Sequence, residues 1–224
     1  MENHESLQSG KFYHIYNRGI NGEKLFQLES DYLNFLRLYA IYINPVAETF
    51  AWVLMPNHFH LLVRIKENVC YKYQKPNNGN TKENEEFELL KWETMSLADN
   101  GISKNKIPVP YRHFAHLFNA YTKYLNLSLQ RHGSLFERRY KRKHIDNFNY
   151  LKRLLIYVHH NPVHHSFCKH PMEYPWSSYL TCISTKPTKL NRETVMGWFD
   201  DRANFIHLHE GKIEVEEIEH WLEL

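Results

Sequence analysis

Apolar and polar positions alternate in two distinct rhythms along the chain. Lys11 to Tyr16 is a short aromatic run rich in β-favouring residues, and Asn17-Arg18-Gly19 then supplies a turn, which predicts a first strand. Beyond Ser30-Asp31, a plausible N-cap, Tyr32, Phe35, Leu36 and Ala40 recur at helical spacing until Asn44-Pro45 breaks the pattern, predicting a first helix. Thr49–Met55 and His58–Ile65 are β-rich runs separated only by Pro56-Asn57, as in a hairpin. Phe114, Leu117, Phe118, Tyr121, Tyr124 and Leu125 mark a second amphipathic helix ending near His132-Gly133. Leu135–Ile145 fits a strand. A third helix follows Asp146, with Phe148, Leu151, Leu155 and Val158 as its buried stripe and Pro162 as its stop. A last helix is expected from Asn191 to about Phe199.

Strand, helix, hairpin, helix, strand, helix describes an α+β fold, a ferredoxin-like or RRM-like antiparallel sheet with packed helices. The rhythm fails between Lys66 and Pro110, where a polar tract over residues 76–86 predicts an inserted, partly mobile loop with one short helix. The expected organisation is a domain over residues 11–180 interrupted at about 66–110, then a C-terminal helical extension over 181–224.

Composition narrows the function classes. In 224 residues, 42% hydrophobic and 15% aromatic content supports a packed core with rings left over for stacking. The three cysteines lack CxxC spacing, which argues against a disulfide framework or a thiolate zinc site and for a reducing cytoplasm. No run approaches 18 uninterrupted apolar residues, so no membrane partner is expected. Net charge is only +3, yet Arg131–His144 holds Arg131, Arg138, Arg139, Lys141, Arg142 and Lys143 against the single acid Glu137. With Tyr140 inside it, this segment interleaves cations with a ring as a single-stranded nucleic-acid groove does. Arg18, in the first turn, is a further phosphate-contact candidate. The opposing reading of such a run is a solvated strand edge.

His58 and His60 are two apart on a predicted strand and project from one side, offering two imidazoles to one metal ion. With 16 histidines, chance alone supplies about one such pair, and His207-Leu208-His209 is a second. Only the first begins a run fit for a central strand, and from pattern alone its histidines read equally as ligands or as partly exposed strand residues. On the third helix Tyr157 and Asn161 stand one turn apart on one face. Taken alone, Tyr157 reads as a core tyrosine and Asn161 as a helix-terminal residue before proline. Together with the histidines they make a mixed nitrogen and oxygen donor set suited to Mg²⁺ or Mn²⁺, beside a hydroxyl that could attack a phosphodiester.

Residues 55–63 (MPNHFHLLV) resemble the histidine-hydrophobic-histidine (HUH) motif of single-tyrosine transposases. Residues 133–141 (GSLFERRYK), 157–163 (YVHHNPV) and 174–179 (YPWSSY) resemble, more narrowly, the REP-associated tyrosine transposases. The resemblance implies that Tyr157 is the nucleophile, that His58, His60 and Asn161 hold a divalent metal, and that the fold is an HUH endonuclease core. It also implies a hairpin-forming single-stranded DNA partner, cut and rejoined through a 5′-phosphotyrosine, with Arg18, Arg138, Arg139, Tyr140, Lys141, Arg142 and Lys143 on the DNA. A monomer is favoured. The long insertion and the extra histidines His159, His160, His164 and His165 depart from the family pattern. Two rivals stay open: a non-catalytic hairpin-binding regulator, and a water-using metallohydrolase built on residues 159–165.

Overall fold

The computed structural model describes residues 6–73, 92–96, 105–137, 139–211 and 215–222. Strands β1 (Phe12–Arg18), β2 (Ala47–Met55), β3 (His58–Ile65) and β7 (Lys141–Ile145) form one antiparallel sheet in the order β2-β3-β1-β7. With α1 (Glu29–Tyr42) and α2 (Pro110–Ser128) as the crossovers, the topology is ferredoxin-like, as expected. Helix α3 (Phe148–His164) covers the opposite face.

Both faces of the sheet are covered, so β3 reads as a nearly continuous buried run. One face carries Ile15, Phe59, Leu61 and Val63 against Phe35 and Leu38 of α1 and Phe114, Leu117 and Tyr121 of α2. The other carries Val53, Met55 and Leu62 against Leu151, Leu154, Leu155 and Val158 of α3. Each such fully buried side chain contributes roughly 1.5–3 kcal/mol, so the two layers clamp the sheet between them.

Several helix boundaries differ from expectation. Helix α1 starts at Glu29, and buried Asp31 acts from inside its first turn, its carboxylate accepting the Gln27 and Leu28 N–H groups at 2.9 Å each. Helix α3 is capped by Asn147 rather than Asp146: its side-chain oxygen accepts the Tyr150 N–H at 3.0 Å. Pro162 does not end α3. It lacks only the N–H that would bond the Val158 carbonyl, and α3 runs on to His164.

The described part of the insertion is not helical. β4 (Val69–Tyr73) pairs with β5 (Trp92–Ser96) and β6 (Asn105–Lys106) in a separate antiparallel sheet. The polar tract at 76–86 lies outside the described residues.

After α3 come α4 (Tyr179–Ile183), α5 (Arg192–Trp198), α6 (Arg202–Glu210) and α7 (Val215–Leu222). Val195, Phe199, Phe205 and Ile218 from this region join the α3-side core. A buried one-way hydrogen-bond chain ties α6 to α3 and the sheet. His209 Nδ1–H donates to the Phe205 carbonyl at 2.7 Å, so its Nε2 accepts from His159 Nδ1–H at 2.9 Å. His159 Nε2 then accepts from the Ser178 hydroxyl at 2.7 Å, and Ser178 Oγ accepts the Trp52 N–H of β2 at 2.9 Å. Each neutral imidazole has one N–H, so the carbonyl end fixes every tautomer in the chain. His209, half of the second histidine pair of the sequence, is therefore a structural residue.

Candidate active site

Alternation along β1 and β3 puts His14, Tyr16, His58 and His60 on the α3 side of the sheet, with Tyr16 opposite His60 in register. Helix α3 crosses over them and brings Tyr157 and Asn161 down onto this row. His58 Nε2 stands 2.8 Å from Asn161 Oδ1, and His58 Nδ1 stands 2.8 Å from Asn57 Oδ1 in the hairpin turn. The His58 and His60 rings are perpendicular with centroids 5.2 Å apart, and Tyr157 meets His60 edge-on at 5.6 Å.

Burial keeps these imidazoles neutral. The His58 pKa is pushed down to about 4, chiefly by desolvation, and that of His60 lies well below its ordinary value for the same reason, with His14 and His58 as lesser causes. A neutral His58 has one hydrogen to share between two amide oxygens. Given to Asn57, it leaves the Nε2 lone pair facing the Asn161 oxygen lone pair at 2.8 Å. A neutral imidazole nitrogen and an amide oxygen brought together are donors of the kind a divalent metal takes. Asn161 Nδ2 is buried without a partner, while Oδ1 of the same amide meets His58 Nε2. His60 Nδ1 is 2.9 Å from His14 Nε2 with the rings within 8° of coplanar, an in-plane N–H···N bond that holds the His60 ring in place. The residues present therefore fit a cation held by His58, His60 and Asn161.

Tyr157 is 2% exposed, and its hydroxyl points to Glu219 Oε1 of α7 at 3.5 Å. Its pKa is raised, first by burial and then by the Glu219 carboxylate, so the hydroxyl holds its proton and needs a base to lose it. Glu219 also lies 3.6 Å from His164 Nε2. Tyr157 and Glu219 line a cavity of about 550 Å³ together with His58 and His60, and Arg18, Lys24, Lys141 and Glu137 complete its charged lining.

The basic segment is divided by its own pleat. Lys141 lies opposite Tyr16, lines the cavity and holds its ammonium 5.8 Å from the Tyr16 ring. Lys143 shares that face, opposite His14, farther from the cavity. Arg142 falls on the other face, where its guanidinium donates to the Tyr140 hydroxyl at 3.2 Å, and Tyr140 packs on Phe114 and Phe118. Arg139 sits in the bend before β7, in the left-handed region at φ 61°, and does not line the cavity. Arg138 lies outside the described residues. Arg18 lines the cavity and pairs with Glu137 at 2.9 Å.

The extra histidines divide likewise. His159 and His160 turn away to α6, while the His165 ring lies 5.0 Å from that of His58. Among the described residues no group of three or more His, Cys, Asp or Glu is placed to hold a metal.

His14, Tyr16, Asn57, Lys24, Phe167 and Glu219 are site residues that sequence reasoning did not select. His14 and Tyr16 had a usable signal, the period of two that brings them into line beside His60. Glu219 had none, lying in an acidic tail.

No family model and no curated protein matches the chain. A solved structure does, that of a REP-associated tyrosine transposase bound to a REP hairpin, at 14% identity and a TM-score of 0.53, covering 84% of this chain and 88% of that one. The chain has that transposase's fold. The transposase fold thus accounts for the four-stranded antiparallel sheet with its packed helices, and for a match that spans most of both chains. Among the described residues no helix is long and apolar enough to cross a membrane.

Proposed function

We propose that the chain is a metal-dependent single-stranded DNA endonuclease and strand transferase acting on hairpin-containing DNA. The observation that carries this reading is the convergence of Tyr157, His58 and His60 in one cavity that Arg18, Lys24 and Lys141 also line, with the Asn161 amide against His58, on the fold of a transposase whose structure holds a REP hairpin.

His58, His60 and Asn161 would hold Mg²⁺ or Mn²⁺, which when bound draws charge from the phosphate oxygens and makes phosphorus a better electrophile. Arg18 and Lys141 in the cavity lining position the phosphate backbone. The Tyr157 oxygen attacks phosphorus as its proton passes to Glu219, the carboxylate nearest its hydroxyl. The bond from phosphorus to the 3′-oxygen breaks, and the 3′-oxygen takes a proton from solvent water to leave as a hydroxyl. The 5′-phosphate remains joined to Tyr157. Because one phosphodiester replaces another, attack by a different 3′-hydroxyl reverses the step without ATP and joins the strands.

A pool of labelled hairpin oligonucleotides with randomised single-stranded flanks, incubated with Mn²⁺ or Mg²⁺, tests this. The expected product is a protein–DNA band that survives denaturation and is lost with EDTA or in Tyr157→Phe. Cut DNA from the Tyr157→Phe protein overturns the tyrosine mechanism. Tight hairpin binding without any adduct from the unaltered chain supports the non-catalytic regulator instead.

A further inference from the structure

Helix α3 does not stop where its site residues stop. After His165 the chain makes a Schellman turn: the Ser166 N–H donates to the Val163 carbonyl at 2.9 Å and the Phe167 N–H to the Pro162 carbonyl at 2.8 Å. The pivot residue lies at φ 60° and is Ser166, where glycine would be unstrained. In this motif the apolar residue after the pivot commonly packs back against its own helix. Phe167 does so incompletely. Its ring meets Tyr174 edge-on at 6.3 Å, yet it remains 55% exposed and lines the cavity that holds Tyr157 and His58.

An exposed aromatic ring in the wall of a cavity that also carries cations offers a flat apolar surface to a ligand. The other features of that wall say which surface. Arg18, Lys24 and Lys141 provide for a phosphate chain, and a nucleobase carried on that chain next to the attacked phosphate has a π-face of the right size. The turn hydrogen bonds fix the backbone that carries the ring, six residues beyond Asn161 and just past the end of α3.

Resting on the single-stranded DNA reading above, we propose that Phe167 is a stacking platform for the nucleobase flanking the phosphate that Tyr157 attacks. Stacking is blind to base identity, so the ring would set strand position and leave sequence choice to other contacts.

The test compares a labelled dT12 strand with an abasic strand of the same length and backbone charge, by fluorescence anisotropy on the full chain. The unaltered protein is expected to prefer dT12 by between about fivefold and 150-fold, the range for one stacked base. Phe167→Ala should lose that preference while binding the abasic strand as before, and Phe167→Trp should restore it. Equal weakening of both strands, unchanged dT12 binding by Phe167→Ala, or no binding of either strand overturns the proposal. Covalent capture at Tyr157 reports separately: an adduct formed with no base preference at Phe167 overturns this inference alone, and a base preference without an adduct overturns only the nuclease.

Discussion

Acid should unfold this protein well above the range where carboxylates protonate, because its core is built on neutral histidines. Burial pushes the pKa of His14 and of His209 down to about 3, against 6.5 in an unfolded chain. Between those values the unfolded chain binds protons that the folded chain refuses. Stability is thus fully present above pH 6.5 and is lost as pH falls toward 3. At pH 5 each of the two groups removes about 2 kcal/mol, hence about 4 kcal/mol together, against a typical total of roughly 5–15 kcal/mol for a domain. His58, His60 and His159 are shifted in the same direction by burial and add to the loss. Urea unfolding followed by circular dichroism at pH 8, 6.5 and 5, with EDTA present, reads this directly, since carboxylates stay ionised throughout. The expected result is a midpoint that changes little from pH 8 to 6.5 and then drops sharply at unchanged slope. Equal stability at pH 8 and pH 5 would refute the assignment of neutral, buried histidines.

The hydrogen-bond chain through α6 makes a second prediction. Ser178→Ala leaves His159 Nε2 and the Trp52 N–H without partners, and should cost about 2–4 kcal/mol at pH 8 in the same urea assay. In the cavity lining, Lys141→Ala should weaken single-stranded DNA binding to a similar extent for every sequence. It should also reduce the slope of log affinity against log salt by about 0.7, the share of one phosphate contact, whereas an unchanged slope would take Lys141 off the DNA path.

The sheet and the three main helices were legible because each follows a hydrophobic period that its own residues set. Tyr32 and Phe35 on α1 and Leu151, Leu155 and Val158 on α3 are buried as that spacing requires, whereas Phe148, expected in the buried stripe of α3, is exposed at the helix's first turn. What was hidden depends on long-range pairing. Nothing near Cys70 announces that Val69–Tyr73 pairs with Trp92–Ser96 across a polar tract, and nothing in the acidic tail announces that Glu219 reaches the Tyr157 hydroxyl. The basic run misled in a different way. Its composition is one stripe, but strand alternation sends Lys141 to the cavity and Arg142 to Tyr140 on the other face. The pairing of His58 with Asn161 came from two separate periodicities, two for the strand and 3.6 for the helix, and only the sheet register turned them into one site.

The central claim is that Tyr157 becomes covalently joined to DNA, and peptide mapping tests it most directly. After incubation with the hairpin pool and Mn²⁺, nuclease trimming and proteolysis, mass spectrometry should find the peptide containing Tyr157 carrying a 5′-linked nucleotide. An adduct on any other residue, or cut DNA with the Tyr157 peptide unmodified, would contradict the account.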